Sequence, residues 1–422
     1  MKNSRLVGIF MLLFTTAVFA DSTHSANLIV VRQVDYLYSK SKEPMIVEHP
    51  NGTLFVTGYG STKESGEQTS PRIWKSTDAG NSWNPVNVGT ATSEAIANSD
   101  VDLAVAPDGT LYLVSMWFDN KTGEGTQIVI GVSRDAGETW RWTTLSKKRF
   151  DDRPWVGVAR DGTVHVIWND GSVYHTMSRD GGKTWSTPQQ ICSQGGSSHL
   201  SVSADGAVAV RVTPLSASGN KFTEGVDLVL ISTDGGTTWT KHSVPGERSW
   251  AVLAAGATPR WVEPLAWDGD HLYLLWTQVD GVWLSRSDDW GATWKKWRVA
   301  ESHGDTLPYY PYLTSGNSGE LAAVWYLGSG ANLRWEVCAI QVGTSDSAPQ
   351  PSCSTPLTTD SWTEGDSSKG LAPERDTAGE YLPVLFLHDG DLAVVTPIQN
   401  WGTKRFGFAF WKFKRDFPKQ SH

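Results

Sequence analysis

The chain has 422 residues, of which 39% are hydrophobic and 19% charged, and its net charge is −9. That balance argues against a nucleic-acid partner, since binding a phosphate backbone needs a basic footprint, but it permits an anionic small ligand held by a few local arginines. The length allows two or three ordinary domains or one large repeat domain, and 22 tryptophans are many for a soluble protein.

Residues 1–20 read as a secretory signal. Lys2 and Arg5 give a positive start, Leu6 to Ala20 form a short apolar core, and "AVFA" supplies small residues for cleavage after Ala20. The apolar run is short for a membrane span, which takes about 20 residues. The mature chain, residues 21–422, is therefore expected to be secreted or periplasmic, without membrane insertion. Of Cys192, Cys338 and Cys353, the last two are the expected disulfide, leaving one thiol.

From residue 27 onward the chain alternates strand signals and turns. "NLIVVRQVDYL" is a strand that precedes any repeat. Then a motif recurs five times: Ser76–Trp83 (STDAGNSW), Ser133–Trp140 (SRDAGETW), Ser178–Trp185 (SRDGGKTW), Ser232–Trp239 (STDGGTTW) and Ser287–Trp294 (SDDWGATW). Each copy follows an apolar run such as "TQIVIGV". Before that run lies another strand pair punctuated by Asn-Gly or Asp-Gly, as in "NGTLFVTGY" and "DGTVHVIW". Strand, Gly turn, strand, loop, strand, Asp turn, strand is a four-stranded antiparallel meander, and a period of roughly fifty residues makes it a propeller blade. Two further strand pairs without the motif, at "YYPYLTSGNSGELAAVWYL" and "GEYLPVLFLHDGDLAVVTPI", bring the expected total to seven, or six if one pair is an insertion. The last blade lacks an outer strand, which residues 27–37 would supply, closing the ring and removing an exposed edge.

The five motifs resemble the Asp-box, or bacterial neuraminidase repeat, of the sialidase-like superfamily, matching at Ser, Asp, Gly, Thr or Ser, and Trp. The resemblance implies an all-β propeller as one domain. In each box the Asp caps its own turn, the Gly accepts positive φ and the Trp packs between sheets. The box is expected to pin the structure and sit away from the mouth of the central channel.

Chemistry is expected at that mouth, where innermost strands begin and second strands end. Counting from the Gly turns places Glu43, Asp100, Asp102, Asp152, Arg153, Trp155, His199, Arg260, Trp261, Glu263, Tyr309, Tyr310, Tyr312, Glu380 and Tyr381 there, with Tyr59, Trp117, Asp119, Trp168, Asp170, Arg211, Trp276 and Trp325 at the second-strand ends. Aromatic faces stack on sugar rings and arginines pair with carboxylates, so the set suits an acidic glycan. The mouth residues differ from blade to blade, which favours one unique site over the repeated pockets of a lectin.

By resemblance to sialidases, Asp102 is the expected acid/base, Tyr381 the nucleophile with Glu263 as its base, and Arg153, Arg211 and Arg260 the carboxylate clamp. Trp117, Trp168, Trp276 and Tyr310 are the expected sugar-stacking residues. The first inner strand reads "KEPMIV" where sialidases carry Arg-Ile-Pro, and the nearest look-alike, "PRIW" at Arg72, lies on a later strand. A uronate lyase is the alternative, with His199 as base and an arginine neutralising the carboxylate. A glycan-binding propeller without catalysis is the third reading. None needs a metal or cofactor, and the protein is expected to act as a monomer.

Overall fold

The computed structural model describes residues 27–37, 41–60, 70–119, 121–195, 198–212, 227–245, 264–302, 306–316, 319–328, 334–343, 347–356, 381–400 and 405–416. Their strands form seven four-stranded antiparallel sheets, the seven blades of a β-propeller. Six blades use four consecutive strands each. The seventh is composite: Asn27–Leu37 adds as its outermost strand, antiparallel to Arg405–Asp416, with Asn27 opposite Asp416 and Leu37 opposite Gly407. The ring is thus closed by the first strand, as the missing outer strand of the last blade required.

Burial peaks at the second strand of each blade and falls toward the outermost. Second strands such as Val164–Asn169 and Val208–Val212 are buried at every residue, whereas outermost strands such as Asn84–Val86 and Thr240–Ser243 are buried at none. A strand covered on both faces by neighbouring blades has no polar face to keep, so it reads as a continuous apolar run. The core is accordingly a ring of inter-blade layers. Ile46, Val56 and Trp74 of blade one pack on Ala393, Val395, Phe408 and Phe410 of blade seven. Tyr273, Leu275 and Leu284 of blade five pack on Leu321, Ala323 and Trp325 of blade six.

The Asp-boxes explain how blades stay in register. In the third copy Ser178 donates to Asp180 (2.8 Å) and accepts from the Gly182 N–H (2.8 Å), while Asp180 accepts from the Thr184 N–H (2.9 Å) and hydroxyl (2.6 Å). The other four copies repeat this lattice. The glycine is set by packing as well as by φ. A Cβ on Gly80, Gly137, Gly182, Gly236 or Gly291 would lie 3.1 Å or less from a side chain of the preceding blade: Phe410, Phe55, Val132, His175 and Ile231 in turn. Each box therefore ties its own outer strands and also docks on its neighbour.

Cys338 and Cys353 form a disulfide across the two outer strands of blade six, and Cys192 is a buried free thiol. Among the described residues, Glu336 lies with these two cysteines in the one His/Cys/Asp/Glu group close enough to share an ion. No helix among the described residues is long and apolar enough to cross a membrane.

Candidate functional site

All innermost strands begin on one face of the ring; four begin with a register shift, in blade two between Ser99 and Val101, and the other three share one form. In blade one Lys42 pairs with Tyr59 but Met45 with Thr57. In blade three Asp152 pairs with Asn169 but Trp155 with Ile167, and in blade six Tyr309 pairs with Tyr326 but Tyr312 with Val324. Two residues thus face one, a β-bulge. The first bulged residue is left-handed each time, Glu43 (φ 53°), Arg153 (φ 50°) and Tyr310 (φ 44°), and the second is Pro44, Pro154 or Pro311. Proline has no N–H to give to the ladder, so it belongs in such a break. Non-glycine residues held at positive φ are unfavourable by about 1–3 kcal/mol and cluster at functional sites.

The bulges aim the following residue at the axis. Trp155 packs edge-on against His199 of blade four (centroids 4.6 Å apart) and against Tyr381 before blade seven (5.0 Å). His199 Nε2 lies 3.1 Å from the Tyr312 hydroxyl of blade six, and that hydroxyl lies 3.8 Å from Met45 Sδ of blade one. Groups from blades so far apart in the ring meet only on its axis. Burial lowers the His199 pKa to about 3 and raises that of Tyr312 well above its ordinary value, so both are neutral near pH 7.

Asp102 stands on the innermost strand of blade two. Its Oδ1 accepts from the Leu103 N–H (2.8 Å) and its Oδ2 from the Val156 N–H of blade three (2.9 Å). Burial outweighs both bonds and raises its pKa to about 7. Asp102 is thus a protonatable carboxyl that also clips two blades together.

The other expected residues divide. Arg153 is 5% exposed at the blade-three bulge, 3.9 Å from Asp152. Tyr310, also buried, meets Tyr326 edge-on at 6.3 Å. Tyr381 is 1% exposed and covers Trp155. Arg211 is 1% exposed in the wall between blades four and five, donating to the Leu275 carbonyl (2.9 Å) and lying 3.5 Å from Asp227. Trp168 and Trp276 are buried and stacked on Tyr174 and Trp283 within their own sheets, which leaves them no free face for a sugar. Trp117 is part-buried against the layer between blades one and two. Glu263 and Arg260 lie outside the described residues, as do Trp261 and Glu380.

Arg72, at the start of the third strand of blade one, reaches inward to Ser41 Oγ on the innermost strand (3.0 Å). It crosses the intervening strand at Gly60, where a side chain would collide with the guanidinium. Tyr312 and Met45 received no role from the sequence. The signal that marks them is the triplet X-Pro-apolar, read as Glu43-Pro44-Met45, Arg153-Pro154-Trp155 and Tyr310-Pro311-Tyr312.

A family model for the BNR/Asp-box repeat matches residues 230–241, the fourth box. No curated protein sequence matches the chain. Solved structures do. One is a protein of unknown function from Dyadobacter fermentans (15% identity, 92% of this chain and 99% of that one, TM-score 0.52). Another is a polysaccharide lyase, an ulvan lyase bound to a glucuronate–sulfated rhamnose repeat (11% identity, 90% and 95%, TM-score 0.53). A third is an α-L-arabinofuranosidase of Fusarium graminearum with arabinobiose (14% identity, 93% and 97%, TM-score 0.50). At these identities the likeness is one of fold: the chain is an Asp-box β-propeller similar in architecture to propellers that act on glycans.

Proposed function

We propose that this Asp-box propeller is an exported enzyme that cleaves an acidic glycan at the channel mouth by β-elimination, with His199 and Tyr312 moving the protons. The observation that carries the reading is the 3.1 Å pairing of His199 Nε2 with the Tyr312 hydroxyl on the axis. These two keep some surface, 9% and 6% exposed, whereas Tyr381 is 1% exposed. A group that must touch substrate needs that surface.

Elimination needs an unprotonated base, a cation at the carboxylate and a proton for the leaving oxygen. Arg153 sits at the neighbouring bulge and neutralises the uronate carboxylate, which acidifies C5–H. Tyr312 takes the C5 proton while its own passes to His199 Nε2. The C5–H electron pair becomes the C4=C5 double bond, the C4–O bond breaks, and the leaving oxygen takes a proton back from the pair. Atoms and charge balance without a cofactor. A propeller of similar architecture carries a glucuronate-containing ligand, which supports this substrate class.

Hydrolysis is the second reading, and the Asp102 pKa of about 7 favours it. There Asp102 is the acid, Tyr381 the nucleophile, Glu263 its base, and Arg153 with Arg260 the clamp.

The test is turnover of a glucuronate-containing polysaccharide, read by ultraviolet absorbance of the conjugated double bond and by reducing ends. The expected result is absorbance rising with cleavage. Activity should fall by roughly 10²–10⁴-fold in His199→Ala and Tyr312→Phe and survive in Tyr381→Phe. Reducing ends without absorbance, lost in Tyr381→Phe, would replace elimination by hydrolysis.

A further inference from the structure

The fourth position of the Asp-box is left-handed in all five copies: Ala79 (φ 57°), Ala136 (φ 53°), Gly181 (φ 70°), Gly235 (φ 65°) and Trp290 (φ 58°). Two copies carry Gly, which adopts this backbone freely, and two carry Ala, which brings only a methyl group to the surface. The fifth carries a tryptophan, so the scaffold does not account for it. Trp290 is 39% exposed and is the one aromatic residue among the exposed large hydrophobic side chains of the described residues.

The ring is held in place. It leans on buried Trp267 of the innermost strand, with centroids 5.5 Å apart and planes at 52°. Two residues upstream, Asp288 lies 2.7 Å from His271 Nδ1, 2.7 Å from Arg286 Nε and 3.6 Å from Lys295 Nζ. His271 and Lys295 are both 44% exposed. A supported aromatic ring two residues along the same turn from an exposed ion-pair cluster matches a sugar, which presents an apolar face and a polar edge. With Val30 and Val279 the only other exposed large hydrophobic side chains among the described residues, the ring lacks the apolar centre of a stable protein interface.

We propose that Trp290 is the platform of a second, non-catalytic glycan-binding site at the Asp-box end of blade five, on the face opposite the channel mouth, with Asp288, His271 and Lys295 as its polar rim. It rests on the reading above only in that a glycan is the ligand. A polysaccharide held there stays near the enzyme between cuts, an avidity effect that needs no change at the mouth.

The experiment is native electrophoresis through gels containing soluble ulvan or debranched arabinan, with wild type, Trp290→Gly and His199→Ala. Glycine occupies this position in boxes three and four, so Trp290→Gly keeps the box. Wild type and His199→Ala should be retarded by at least one of the two polymers, and Trp290→Gly should show a roughly tenfold weaker dissociation constant with a melting temperature no lower than wild type. Its turnover of short oligosaccharides should be unchanged. Equal retardation of Trp290→Gly, or no retardation of wild type by either polymer, overturns the proposal. A dimer that Trp290→Gly abolishes would assign the ring to a second copy and overturn it too. Unchanged turnover in His199→Ala would count against the elimination reading alone.

Discussion

His165 and His175 show how strongly burial acts on single residues here. Their rings stack 5.3 Å apart with Nδ1 of one 3.1 Å from Nε2 of the other, under Trp239 of the next blade's box. Burial lowers their pKa values to about 4 and about 3, with Asp161 raising that of His165 and Arg179 lowering it. The unfolded chain therefore takes up these protons first. Stability from this pair is fully present above about pH 6.5 and is lost as pH falls toward the folded values. We expect the melting temperature of a His165→Gln/His175→Gln variant to depend less on pH between about 6.5 and about 4 than that of wild type. Parallel slopes in scanning fluorimetry would contradict this. His199 obeys the same rule at the mouth, and there neutrality at working pH is what base chemistry requires.

At the scale of elements, repetition separates scaffold from site. Trp117, Trp168, Trp276 and Trp325 end the second strands of blades two, three, five and six, and such recurrence marks a packing position. Trp168, Trp276 and Trp325 are indeed buried between sheets. The residues at the three proline bulges differ: a carboxyl in blade one, a guanidinium in blade three, a phenol in blade six. The box repeats without variation in its bonding atoms, so it belongs to stability. Ser178→Ala removes one buried hydroxyl that both donates and accepts, and it should lower stability by about 1–2 kcal/mol in urea unfolding with unchanged turnover. A well-folded variant that loses turnover would give the box a catalytic role. Strand count, turn positions and the boxes were legible because they depend on local chemistry. The bulges were not counted from the sequence, and an uncounted residue reverses which face of a strand its neighbours occupy.

For the whole molecule, closure is the decisive event. Asn27–Leu37 covers the edge of the last blade, and without it Arg405–Asp416 would offer unpaired backbone groups to another chain. A chain starting after residue 37 should therefore elute as aggregates or edge-paired oligomers in size-exclusion chromatography, and a stable monomer would contradict this role of the strand. The Cys338–Cys353 disulfide adds a local staple, closing a loop with a sequence separation of 15.

The sequence by itself determined the architecture. Five boxes, the strand–turn rhythm, two box-free strand pairs and an orphan first strand specify a closed ring of six or seven blades, because each blade is written in its own segment, and the structure makes the number seven. The sequence offered Cys338 and Cys353 as the expected pair, and only the structure places them on adjacent strands of blade six. Only the tertiary structure decided which mouth residues meet. His199 and Tyr312 are separated by 113 positions, and Tyr312 and Met45 by 267. Nothing local couples them; ring closure brings them to one axis. The same closure places Arg211 in a wall beside Asp227. A propeller writes its blades locally and its site globally, so its sequence declares the fold before it declares the chemistry.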